Sequence, residues 1–142
     1  MYHVRFTSKL LSTNSDTLVT IVAGYTGKID HFTVAAHALQ CQGYDVLMYE
    51  YGNDVFDSGE LTALSTLIHD IGQDFMQQSK GYTHVRHTGS SLGGGIAWNL
   101  QKLDSDRLLP GVFVSAGTNA ARLIFRNPLF RKSRATFIHN GS

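Results

Sequence analysis

The chain has 142 residues, 42% of them apolar and 16% charged, with a formal net charge of +1 at neutral pH. That is one domain's worth of a soluble globular protein, and the near-neutral balance argues against nucleic acid as a partner held by bulk charge. Cys41 is the only cysteine, so an internal disulfide is excluded, and no apolar stretch approaches the length of a membrane span.

Charge is unevenly placed. No Asp or Glu follows Asp106, whereas Arg122, Arg126, Arg131, Lys132 and Arg134 crowd the last stretch. The opening, MYHVRFTSKL, has no long apolar core and no small-residue cleavage site, so no signal peptide is read and a cytoplasmic location is the default expectation.

In chain order, Val4 to Leu11 alternates loosely and ends at STNSD, a turn cluster of the kind that separates strands. TLVTIVAG (Thr17 to Gly24) is a continuous β-branched run, as expected of a strand buried on both faces of a parallel sheet. GYTGKID interrupts it. Asp30 is placed to cap the helix that follows, Val34, Ala35, Ala38 and Leu39 fall at helical spacing, and Gly43 supplies a stop. DVLMYEY (Asp45 to Tyr51) is a second apolar strand, with the loop GNDVFDSG after it.

From Leu61 the apolar positions Leu61, Leu64, Ile68, Ile71 and Phe75 form one helical stripe, closed by Gly81. An extended run from Thr83 to His87 leads into TGSSLGGG, residues 88–95. A helical run is read from Ile96 to Leu103, on a stripe of Leu92, Ile96, Leu100 and Leu103. VFVSAG (Val112 to Gly117) is a fourth apolar strand. Strand and helix alternate throughout, which predicts an α/β architecture: a mostly parallel sheet in three layers, joined by right-handed crossovers.

Gly89-Ser90-Ser91-Leu92-Gly93 fits G-x-S-x-G between a strand and a helix. A serine at such a corner takes strained backbone angles and points its oxygen outward, so residues two before and two after it must be small. Gly89 and Gly93 hold those places. The N–H of Leu92, at the helix N-terminus, would face the oxygen of a reacting carbonyl. The loop AGYTG after the first buried strand is placed to add a second donor, the N–H of Tyr25. A phosphate cradle competes for the same glycines, but the octet lacks the lysine of a P-loop and the spacing of G-x-G-x-x-G.

The order of elements and both loops resemble the α/β-hydrolase superfamily, in its esterase, lipase and acyl-hydrolase branch. VAGYTG resembles the family's His-Gly oxyanion loop, with Ala23 in place of the histidine, and TGSSLGGG resembles its nucleophile elbow. The resemblance runs from about Asp16 to Gly117. It implies a serine hydrolase of carboxylic esters or related acyl bonds, with Ser91 as catalytic nucleophile, Leu92 and Tyr25 as the oxyanion hole, and a small-molecule acyl substrate. It implies no cofactor and no metal, and no Cys/His cluster suggests zinc.

The family's triad runs Ser, then Asp or Glu, then His. After Ser91 the only acids are Asp104 and Asp106, which precede the next strand and so fall at the end of the sheet opposite the elbow. Asn119 stands where some members keep their acid, and His139 is the only later histidine. Asp54 and Asp57 lie on a loop at the correct end, but using one would depart from the family's order. The expectation is therefore the N-terminal part of the fold, lacking the C-terminal strands and with them the triad acid and histidine. Residues 1–120 would form that core and 121–142 a basic, apolar tail, the start of a lid. The last strand would be an apolar edge, open to a completing chain or an oligomer. The competing reading is a non-catalytic α/β-hydrolase-like module that binds a ligand or partner.

Among the remaining polar residues, His31, His37 and His69 read as surface or packing side chains, and His84 and His87 fall on opposite faces of a strand. Tyr49 and Tyr51 share one strand face and read as core or rim.

Overall fold

In the computed structural model, the residues described are 5–52 and 61–114. Among them, five strands form one sheet in the order β1-β3-β2-β4-β5: β1 (Phe6–Leu11), β2 (Thr17–Val22), β3 (Asp45–Tyr51), β4 (His84–Ser90) and β5 (Val112–Val114). β2 pairs in parallel with both β3 and β4, β4 pairs in parallel with β5, and β1 alone is antiparallel, on β3. Among the described residues three α-helices join them: α1 (Thr33–Cys41), α2 (Leu61–Gln78) and α3 (Leu92–Leu100).

Every residue of β2 is buried, as its β-branched run requires of a central parallel strand. Its alternate side chains serve two cores. Leu18 and Val22 join Leu47, Tyr49, Val85 and Phe113 beneath α2 and α3, while Ile21 joins Val46 and Met48 beneath α1. Of the expected stripe of α2, Leu64, Ile71 and Phe75 are buried and Ile68 is half-buried, whereas Ala63 and Leu67, outside that stripe, are buried as well; Tyr49 pins the helix by donating its hydroxyl to Asp74 at 2.7 Å. Tyr49 and Tyr51 are thus core residues, at 0% and 4% exposure.

The chain leaves β2 for β3 on one side of the sheet, then crosses back over β2 to reach β4. Right-handed crossovers place α1 on one face and α2 and α3 on the other. The loops that follow β2 and β4, neighbouring strands, therefore depart to opposite faces. The crevice between them, at the carboxyl ends of the strands, is where open α/β sheets bind ligands.

Three local expectations need correction. Asp30 does not cap α1: it lies inside a short 3₁₀ turn, Ile29–Phe32, and Phe32 holds the N-cap position without a side-chain bond. The turn's own backbone already directs the chain into the helix, and Thr33 closes it by donating its hydroxyl to the Asp30 carbonyl. Val34 is 84% exposed, and Ala36 makes the buried contact instead. The third helix starts at Leu92 rather than Ile96, with Gly93, Gly94 and Gly95 as its buried first turn, and Leu103 lies beyond its end at 46% exposure. Tight packing against β2 overrides the low helix propensity of glycine there.

Gly43 and Gly81 follow α1 and α2 with φ of +94° and +93°, as helix stops do. Asp54, Asp57, Asn119 and His139, the boundary at residue 120 and the tail 121–142 lie outside the described residues.

Candidate active site

β4 runs straight into the octet, ending at Ser90, and α3 begins at Leu92. Ser91 is the single residue between them, with φ 56° and ψ −127°. A non-glycine residue at such angles is strained by about 1–3 kcal/mol and persists only where its surroundings enforce it.

Here the surroundings are backbone. A Cβ on Gly93 would lie 2.2 Å from the Val22 carbonyl oxygen, and one on Gly89 would lie 2.4 Å from the carbonyl oxygen of Gly93. The strand, the corner and the helix are packed so closely that no side chain fits at either position. Gly89 and Gly93 are therefore required by contact, as the motif demands.

Ser91 occupies the N-cap position of α3, yet its hydroxyl makes no capping hydrogen bond. Serine at an N-cap usually bonds the second or third N–H of the helix. The inverted backbone turns this side chain away from that role, and it is partly exposed. The first N–H groups of a helix, those of Leu92 and Gly93 here, have no carbonyl partner in their own helix and carry its partial positive charge.

The loop after β2 reaches the same corner. A Cβ on Gly24 would stand 3.2 Å from the Ser91 Cβ and 3.0 Å from the Ser90 carbonyl oxygen. Gly27 donates its N–H to the Gly24 carbonyl at 2.9 Å, closing a tight turn in which Thr26 has φ 64°. Tyr25 is carried on this turn and is 45% exposed. Lys28, just beyond the turn, lies 3.6 Å from the Glu50 carboxylate near the end of β3. The structure thus brings Ser91, Leu92 and the Tyr25 turn together at one crevice.

It does not bring Asp104 or Asp106 there. Asp104 pairs with Arg107, which donates to the Ser79 and Tyr82 carbonyls just before β4 begins. The whole length of β4 separates that end from Ser91, roughly 20 Å at strand rise.

His87, on β4, is also no candidate base. It is 1% exposed, lies 2.7 Å from the Thr20 hydroxyl through Nδ1, and stacks edge-on against Phe75. Burial, helped by the nearby Arg107 charge and opposed by Asp104, pushes its pKa down to about 4, so the ring is neutral. His84, on the opposite strand face, is exposed, whereas His31, His37 and His69 lie at the surface to differing degrees. Among the described residues no group of three or more His, Cys, Asp or Glu side chains could hold a metal, and no helix is long and apolar enough to cross a membrane.

Neither a family model nor a curated protein sequence matches the chain. Solved structures do. An α/β-hydrolase enzyme from the metagenome of Mar Chica lagoon sediments, Morocco, aligns with 99% of this chain at a TM-score of 0.59 and 20% identity. A structure from a study of carboxylesterases of Nitrososphaera gargenis aligns with 97% at 0.64 and 14% identity. Est1E from Butyrivibrio proteoclasticus, solved with ferulic acid bound, aligns with 84% at 0.60 and 19% identity. This chain spans 68%, 51% and 53% of those three proteins, respectively. The chain has the α/β-hydrolase fold.

Proposed function

We propose that the chain carries the nucleophile and oxyanion side of a serine hydrolase acting on carboxylic esters or related acyl bonds. The Ser91 oxygen attacks the acyl carbon as its proton passes to a base, and the N–H groups of Leu92 and Tyr25 hold the oxyanion. Collapse of the tetrahedral species expels the alcohol and leaves an acyl-serine, which water then cleaves. The triad acid and histidine are supplied from outside the described residues, by a further stretch of polypeptide or a completing chain that also covers the edge of β5.

One observation carries this reading: Ser91 sits in a strained left-handed conformation at the strand–helix corner, with its hydroxyl withheld from the N-cap bond it would otherwise make. A structural turn would put glycine there. Further support comes from Gly24, which holds the loop after β2 against that serine, and from a fold that the compared esterases and hydrolases share.

The test is labelling of the purified chain with a fluorophosphonate probe, Ser91→Ala serving as control. An unactivated serine reacts poorly, so the label reports a base in place. Labelling lost in the variant supports the reading with the base in this chain. Labelling that appears only on adding a completing polypeptide supports the divided site. A folded chain that never labels, alone or completed, favours the non-catalytic binding module instead.

A further inference from the structure

Thr26, in the turn after β2, has φ 64°, an angle at which glycine is usual. A β-branched residue in the left-handed region is an outlier that only its surroundings keep in place. Gly27 donates its N–H to the Gly24 carbonyl at 2.9 Å, so residues 24–27 form a β-turn with Tyr25 and Thr26 at its centre. Tyr25 is not among the residues of positive φ, whereas Thr26 is. That combination defines a type II turn, whose second central position calls for glycine or asparagine. Threonine there is strained.

Types I and II differ chiefly by rotation of one peptide unit, here the one that joins Tyr25 to Thr26. Both types keep the bond from the fourth N–H to the first carbonyl, so the rotation leaves Gly27 bonded to Gly24. It brings the second central residue to a φ of about −90°, which relieves Thr26. The ends of the turn are fixed. Gly24 lies against Ser90 and Ser91, and a Cβ on Gly27 would stand 3.0 Å from the Ala23 Cβ. Thr26 itself is exposed, so the rotation does not require the core to move. Its consequence is chemical: on a given face of the turn, the Thr26 N–H and the Tyr25 carbonyl oxygen change places. The Tyr25 N–H belongs to the preceding peptide and stays where it is.

We propose that this turn is a two-state switch on the oxyanion site, worked by the flip of the Tyr25–Thr26 peptide. The strained type II form offers the Thr26 N–H to the crevice beside that of Tyr25 and accepts an oxyanion. The relaxed type I form offers the Tyr25 carbonyl oxygen instead and repels it, since only donors aimed at the developing charge stabilise it. An anion in the crevice therefore offsets the strain at Thr26 and draws the turn into the type II form, by its differential affinity for the two. The proposal rests on the reading of Ser91 and this turn as a hydrolase site.

Proton–proton NMR contacts in the isotope-labelled full chain distinguish the forms. Type II brings the Tyr25 Hα close to the Thr26 amide proton, whereas type I brings the amide protons of Tyr25 and Thr26 together. The parent chain is expected to show both contacts. Thr26→Gly, at an exposed position and suited to the left-handed angle, should lose the amide–amide contact. Butyrate, a carboxylate of the kind an acyl hydrolase releases, should remove that contact from the parent, with sodium chloride at equal concentration as control. Contacts of one form alone in the parent without butyrate, or an amide–amide contact that survives in Thr26→Gly, would overturn the switch. So would two forms whose proportion butyrate leaves unchanged. Fluorophosphonate labelling of Ser91 separates the two readings. A labelled serine beside a turn of one form defeats the switch and not the hydrolase; a switching turn beside a serine that never labels, alone or completed, defeats the hydrolase and not the switch.

Discussion

Gly24 and Ser91 touch: the loop after β2 lies against the corner after β4 so closely that a methyl group on Gly24 would be 3.2 Å from the Ser91 Cβ. These two residues belong to loops that leave neighbouring strands toward opposite faces, and their contact brings the two loops together. The Val22 carbonyl oxygen, beneath Gly93, extends the same contact into the sheet.

Gly93→Ala is expected to be severely destabilising, by about 3 kcal/mol or more, because its Cβ would meet rigid backbone at 2.2 Å. Gly24→Ala, whose nearest neighbour is at 3.0 Å, should cost roughly 1 kcal/mol while displacing the Tyr25 turn. Urea midpoints rank the two. Equal midpoints would mean that the corner relaxes far more than close-packed backbone allows.

Ser91→Gly should make the protein more stable by about 1 kcal/mol, since relief of the left-handed strain outweighs the added freedom of the unfolded chain. It removes the hydroxyl at the same time. A raised urea midpoint with no probe labelling is the expected pair of results; a lowered midpoint would show that φ 56° is not strained in this setting.

His87 predicts a loss of stability in mild acid. Its pKa is about 4 when folded and 6.5 in the unfolded chain, so between those values the unfolded state binds the additional proton. Stability is full above pH 6.5 and falls as pH drops toward 4, by on the order of 3 kcal/mol in total. His87→Phe should flatten that slope, measured as urea midpoints at several pH values, even if the unpaired Thr20 hydroxyl lowers stability at neutral pH.

Asp45 predicts a second window, lower down. Burial by itself would raise its carboxyl, but the Tyr82 hydroxyl, the Thr13 N–H and hydroxyl, and the Ser15 N–H together hold it below its usual value of 3.8. Its contribution is present above pH 3.8 and is lost as pH falls below it. Asp45→Asn should cost about 2 kcal/mol at pH 7, because charge-assisted bonds are replaced by neutral ones. The difference from the parent protein should shrink near pH 3, and a constant difference would assign it to packing.

Much of the frame was legible in the residues alone. The unbroken β-branched run of β2 could only be a strand covered on both sides, and the stripe of α2 named Leu64, Ile71 and Phe75 of its buried face but missed Ala63 and Leu67. The glycines around Ser91 named the corner itself, because few backbone arrangements need small residues two before and two after a serine. The start of α3 was legible only through the corner motif, which puts the Leu92 N–H at the helix N-terminus, whereas periodicity put the helical run at Ile96. Three glycines in a row argue locally against helix, and only the Val22 and Ala23 carbonyls, brought there by the sheet, explain them.

Local sequence determined the periodicities, the turns and the strained corner, because these depend on neighbours a few residues away. Tertiary structure alone decided the rest. Strand order set β2 beside β4 and so brought Gly24 against Ser91, far apart along the chain. The same pairing placed His87 beside Thr20 in a dry interior that keeps the ring neutral. Such contacts join residues that no local pattern relates; they exist because burying apolar strand faces leaves the chain one compact way to stack its strands.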